Sequence, residues 1–148
     1  MKTQYCLIIS ALVVASAPSF ARIDASPSAV VISAYHAFST EPTKPKAELR
    51  RRSPIYAGAT IHTQHDGIAT IKFKDGFLLK IRPDSQIKVS QYRYKTTGRR
   101  DQMQLSLGRK SNFLFISGSM PKKDIRLNSA VGVAGLRGTE GNINVEND

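Results

Sequence analysis

The stretch "ATIKFKDGFLLKI", Ala69 to Ile81, constrains the fold more than any other part of the chain. Ala69, Ile71 and Phe73 alternate with Thr70, Lys72 and Lys74, and Phe77, Leu79 and Ile81 alternate with Leu78, Lys80 and Arg82. A period of two fits a strand with one apolar face and excludes a helix, whose apolar positions recur every third or fourth residue. Asp75-Gly76 separates the two runs, and Asp-Gly is the strongest short-range signal of a hairpin. Antiparallel pairing across it gathers Lys72, Lys74, Lys80 and Arg82 on the outward side. These four cations are the candidate partner-binding residues; the alternative is a solvated strand face.

The same pattern runs through most of the chain. "AVVISAYHAF" from Ala29 to Phe38 reads as a first strand. "STEPTKPK" from Ser39 to Lys46 reads as a loop, and "AELRRRSP" as one helical turn or a short edge strand, the strand being favoured because Pro54 and Gly58 close it so soon. Ile61 is apolar between polar neighbours. After Ile81 a turn is expected at Pro83-Asp84-Ser85, then strands through Ile87 and Val89, "MQLSLG", "NFLFIS", "DIRLNS" and "INVEN". No stretch beyond residue 21 sustains a helical period. The expectation is a single all-β domain of about nine or ten short strands, a compact β-roll or solenoid-like stack of hairpins.

Residues 1–21 read differently. Lys2 is followed by the uncharged run "CLIISALVVASA" and then "SFA", the order of a secretory signal peptide. The apolar run falls short of the roughly 20 residues needed to span a bilayer. The expected division is therefore a signal peptide at 1–21, a lead-in and first strand at 22–46, and a β-domain at 47–148. The lone cysteine, Cys6, lies in the leader, so the exported chain would hold no disulfide or thiol nucleophile. A net charge of +11 favours acidic partners. Export to the periplasm points to an envelope protein or an acidic envelope polymer such as lipopolysaccharide or glycan, not to nucleic acid. No transmembrane segment is expected in the mature chain.

Catalysis needs a convergent set of side chains. The candidate bases are His36, His62 and His65. His62 and His65 lie three apart around an expected turn beside Asp66, with His36 far upstream, a poor metal set. There is no G-x-S-x-G elbow and no evident carboxylate pair. A non-catalytic chain without cofactor or metal is expected. "VGVAGLRGTE", Val131 to Glu140, has glycines at 132, 135 and 138, with Gly141 following. No helix pattern follows, as a phosphate loop would require. Its apolar residues argue against a loose tail, and a close-packed corner remains.

"GATIHTQHDGIATIKFKDGFLLKIRPDSQIKV" from Gly58 to Val89, "LSLG" at 105–108 and "AVGVAGLRGTE" resemble the FecR domain pattern. The resemblance covers roughly residues 47–145, and its motif residues here are Gly58, Asp75, Gly76, Pro83, Gly135, Arg137, Gly138 and Thr139. It implies a periplasmic β-module that binds, signals or scaffolds in the cell envelope. Full regulators of this family join such a module to a cytoplasmic anti-sigma segment through one membrane helix. That plan is not matched here, so regulation of a sigma factor is not carried over. Gly141 stands where the family usually has an aromatic residue.

The motif context also implies a partner for Arg137: Asp75 first, Asp84 second. The alternative is a solvent-facing arginine that ends a strand. If the pair is buried, Arg137→Ala strands a carboxylate and lowers stability by about 3 kcal/mol or more. Arg137→Lys restores only part of it, because the bidentate fork is lost. Urea unfolding of both variants measures this, and an unchanged midpoint for Arg137→Ala removes the pair.

Overall fold

The computed structural model describes residues 26–94, 101–116, 123–136 and 140–146. The expected signal peptide, Arg137, Gly138 and Thr139 lie outside the described residues. Eleven strands form one sheet among those described. They are β1 (Ala29–Glu41), β2 (Lys44–Glu48), β3 (Pro54–Ile55), β4 (Thr60–Phe73), β5 (Leu78–Ile81), β6 (Gln86–Arg93), β7 (Asp101–Leu107), β8 (Lys110–Ile116), β9 (Lys123–Ser129), β10 (Gly132–Leu136) and β11 (Glu140–Glu146).

The all-β expectation holds. In place of the expected β-roll or solenoid-like stack of hairpins, the strands form a curled half-barrel. β4 pairs with β1 along one edge. On its other edge it pairs first with β6, at Thr60 to His62, and then with β5, at Ala69 to Lys72. β5 and β6 thus follow one another along β4 as a single strand bent at residues 82–85. β7 and β8 repeat the move, pairing with β6 and β5 on either side of a bend at Gly108-Arg109. Each long strand turns a corner at the same level, and the corners divide the sheet into two arms. One arm ends in β11, paired with β8, and the other in β9 and β10, with β9 parallel to β7.

The corner is built by local exceptions to strand geometry. His36 on β1 stands opposite four residues of β4, because Tyr35 pairs with Ile68 and Ala37 with Thr63. His36 takes φ of +42° and Asp84 takes +52°, left-handed conformations that non-glycine residues adopt at a cost. A Cβ on Gly67 would collide with the carbonyl oxygen of His36, so only glycine lets the strands approach there. Two expectations are corrected at this point. His62 and His65 do not flank a turn but lie within one fourteen-residue strand. The expected loop at 39–46 shrinks to residues 42 and 43, because β1 runs on to Glu41 and β2 resumes at Lys44. Pro45 is tolerated because β2 is an edge strand with no partner on its outer side.

A buried polar knot closes the corner. Thr63 Oγ1 donates to the Arg82 carbonyl at 2.7 Å and accepts the Ser85 N–H at 3.0 Å. Ser85 Oγ accepts the Asn112 N–H at 2.9 Å, and Ser111 Oγ donates to the Gln86 carbonyl at 2.7 Å. These hydroxyls bond backbone groups at the bend, where the ladder is interrupted. Inside the curl, Phe73, Phe77 and Phe113 are fully buried with Ile61, Ile71, Leu79, Ile81 and Ile87. Each contributes about 1.5–3 kcal/mol by leaving water. The expected Asp75-Gly76 hairpin forms as read: Phe73 N–H donates to Phe77 O at 2.9 Å and Gly76 N–H to Phe73 O at 3.0 Å.

Phe115 stacks 6.2 Å from Phe77 and lies over Gly141 on the neighbouring strand, where a Cβ would come within 2.6 Å of the ring. Close packing is therefore the reason for this glycine. Gly141→Ala overpacks the site and lowers stability by about 1–3 kcal/mol, read as a lower urea midpoint. An unchanged midpoint would show that the Phe115 ring yields without cost.

Candidate functional site

Residues directly opposite in a ladder share a face. Val30 on β1, Lys72 on β4, Leu78 on β5 and Ile116 on β8 form one outward row across four strands. Thr70, Lys80, Leu114 and Asn142 form a second row. Lys72 and Lys80 are diagonal neighbours and both are exposed. Arg82 is exposed just beyond β5, where its backbone N–H donates to Asn112 O at 2.8 Å. None of the ion pairs of the described residues involves these three cations. Lys74 differs. It lies in the turn after β4, and its Nζ donates to Ser26 Oγ at 2.9 Å, tying down the lead-in.

The charge is interleaved with aliphatic surface. Val30 is 38% exposed, Ile68 40% and Ile116 41%. Leu78 and Leu114 are half-buried on the same face. A face of this kind can hold an acidic group by charge while burying branched side chains beside it. The aliphatic component was not legible as a site, since each of these residues reads singly as ordinary strand filling.

At the end of the β4–β5 hairpin sits a buried carboxylate. Asp75 is 5% exposed, and its Oδ1 accepts the Phe77 N–H at 3.1 Å while its own N–H donates to the Tyr92 hydroxyl at 3.2 Å. The Phe73 ring packs against Tyr92, tilted by 43° with centroids 5.2 Å apart. Asp75 is thus a structural residue of the hairpin end, walled by aromatic rings. The expectation that Arg137 pairs with it falls on a residue outside those described. Tyr92 carried no periodic signal that would have singled it out. Of the other motif residues, Gly58 has φ of +92° and donates its N–H to Val89 O at 2.7 Å, and Pro83 opens the corner turn. Gly135 lies on the exposed strand β10, away from the close packing expected of it.

The histidines separate. His36 Nδ1–H donates to both oxygens of Asp66 at 2.9 Å, and His65 Nδ1 lies 3.7 Å from the same carboxylate. The bond from His36 holds the Asp66 carboxyl below the usual carboxylate range. His36 was distant in sequence, and the corner bulge brings it here. His62 turns to Thr40, whose Oγ1 lies 3.2 Å from Nε2; burial, and then the charge of Lys46, holds its imidazole below its ordinary value. No group of three or more His, Cys, Asp or Glu among the described residues is arranged to hold a metal ion. His62 also borders an open polar cleft of about 640 Å3 at the corner, with Asp84, Gln86, Arg109 and Lys110. Its hydroxyls, Thr63 and Ser85, are already committed to the backbone.

No helix among the described residues is long and apolar enough to cross a membrane. The family model described as FecR protein matches residues 59–148, so β4 to β11 fall within it and β1 to β3 precede it. No curated protein and no solved structure matches the chain.

Proposed function

The chain belongs to the FecR protein family, and from that premise we propose that it is a non-catalytic module of the bacterial cell envelope that binds a protein partner through its outward β1–β4–β5–β8 face. The family is associated with the envelope. The observation that carries the reading is the coincidence, on one face, of Lys72, Lys80 and Arg82 outside the ion pairs of the described residues with exposed Val30 and Ile116. An acidic protein surface with apolar side chains of its own complements both components, since cations and aliphatic side chains are interleaved on this face. Acidic envelope polymer is the second reading. It is supported by the charge and by Arg109 and Lys110 at the corner cleft, but makes no use of the aliphatic rows.

In this reading the chain is exported, its leader is removed after Ala21, and the product is periplasmic. Intact mass of the protein from the periplasmic fraction should then correspond to a chain beginning at Arg22. A membrane-retained chain beginning at Met1 contradicts the export.

The face is tested by changing Lys72, Lys80 and Arg82 together to Gln. Exposed charges contribute little to stability, so unfolding should shift by no more than about 0.5 kcal/mol. Capture of a periplasmic protein at physiological salt should weaken, and its salt dependence should flatten. Salt-sensitive retention on lipopolysaccharide, without protein capture, moves the assignment to the polymer. Equal capture by wild type and variant returns the three cations to a solvated face.

A further inference from the structure

The bend that divides the sheet also opens it. The corner cleft, of about 640 Å3, falls in the range usual for small-molecule sites, about 300–1,000 Å3. A strand turns consecutive side chains to opposite faces. Arg109 and Lys110 depart from that rule because the chain bends at Gly108-Arg109, and both line the cleft. Both are exposed, and neither enters an ion pair of the described residues, although Glu146 stands opposite Lys110 in the ladder. Gly108 makes room beside them for Gln86: a Cβ at 108 would come within 2.7 Å of the Gln86 Cβ.

His62 joins them from β4. Its Nε2 lies 3.2 Å from Thr40 Oγ1, and no hydrogen bond among the described residues uses Nδ1. Cations outnumber carboxylates around it. Lys46 of β2 is close enough to act on its titration, Arg109 and Lys110 share the cleft, and Lys88 is a diagonal neighbour on β6. Asp84 is the carboxylate of the lining. Glu48, in the same ladder row beyond Phe38, is bonded to Arg50 at 3.2 Å. Convergent polar groups around a residue with a displaced titration, in a cleft, mark a candidate binding site. The excess of positive charge selects an anion. A phosphate monoester has three terminal oxygens and close to two charges, enough for the Arg109 fork, Lys110 and an imidazole at once. A carboxylate has two oxygens and one charge.

We propose that the corner cleft binds a phosphate group, free or carried on a small polar molecule, through Arg109, Lys110 and His62. The site uses none of Lys72, Lys80 and Arg82, so it stands or falls apart from the protein-binding face.

Isothermal titration of the purified protein tests this with inorganic phosphate, glycerol phosphate and glycerate; the last two differ in their anionic group. Both phosphates should bind, and glycerate at least about tenfold more weakly. Tighter binding of glycerol phosphate assigns an esterified source, and tighter binding of inorganic phosphate a free one. Arg109→Gln combined with Lys110→Gln should weaken phosphate binding at least about tenfold and leave the urea midpoint unchanged, since both side chains are exposed. Proton linkage gives a readout that a merely basic surface would not move. Burial, and then the charge of Lys46, holds the His62 imidazole below its ordinary value, and a bound anion offsets both. Sulfate keeps its own charge between about pH 8 and pH 6, so its binding should strengthen as pH falls, with uptake of a proton by the protein. His62→Gln should lose that dependence. The His62 ring signals of wild type, followed by NMR through a sulfate titration, read the same linkage without a substitution. The proposal is overturned if no probe binds at about millimolar concentration, if glycerol phosphate and glycerate bind equally, or if the Arg109 and Lys110 variant binds as wild type does. Sulfate binding without proton uptake overturns the part given to His62. Loss of phosphate binding on changing Lys72, Lys80 and Arg82 to Gln overturns the site itself, in favour of the outward face.

Discussion

The structure depends on the corner at which every long strand bends. A sheet that bends across its strands must break its ladder there, and a broken ladder leaves buried N–H and C=O groups to be served by something else. Thr63, Ser85 and Ser111 bond backbone there: Thr63 to the bend at Arg82 and Ser85, Ser85 to Asn112 of β8, and Ser111 to Gln86 of β6. The three hydroxyls are buried, at 8%, 3% and 1% exposure, so water cannot substitute for them freely. Leaving one such backbone group unmet costs about 1–3 kcal/mol, comparable with burying a whole apolar side chain. The aromatic core then fills the space that the bend encloses, so the polar corner comes logically before the hydrophobic interior.

Half of this was legible in the sequence. Alternation from Ala69 to Ile81 and the Asp75-Gly76 pair specify a hairpin by local chemistry alone, and the structure has it, with Phe73 opposite Phe77 across Lys74, Asp75 and Gly76. The corner was not legible. It rests on His36 opposite four residues of β4, an arrangement that couples positions about thirty apart. A reading by local period sees only an interrupted strand at His62 to Gly67 and inserts a turn. The same limit hid the outward face: Lys72 and Lys80 were visible as alternate cations, but Val30 and Ile116 join them only through pairing across four strands. Pro45 misled in a different way, since a proline that breaks a central strand is acceptable on an outer edge.

The chain places its charges in two distinct settings. Asp75 is a carboxylate enclosed by Phe73, Phe77 and Tyr92, where a charge must be compensated to be tolerated. Lys72, Lys80 and Arg82 remain in water on the opposite side of the sheet from the core, where charge is cheap and nearly indifferent to folding. A carboxylate that folding needs and cations that folding does not need are different kinds of evidence. The first belongs to the hairpin's construction. The second is available to a partner, and only for it does a functional reading add something that stability does not already explain.

The glycines of the closing motif make the same separation within a single stretch. Gly141 is glycine because Phe115 lies where a side chain would go. Gly132 is glycine because its backbone is left-handed. Gly135 has neither reason among the described residues, where it lies on the exposed outer strand β10. Among the described glycines of this stretch, one is set by its backbone, one by a neighbouring ring and one by neither, so a regular spacing of glycines does not imply a shared role.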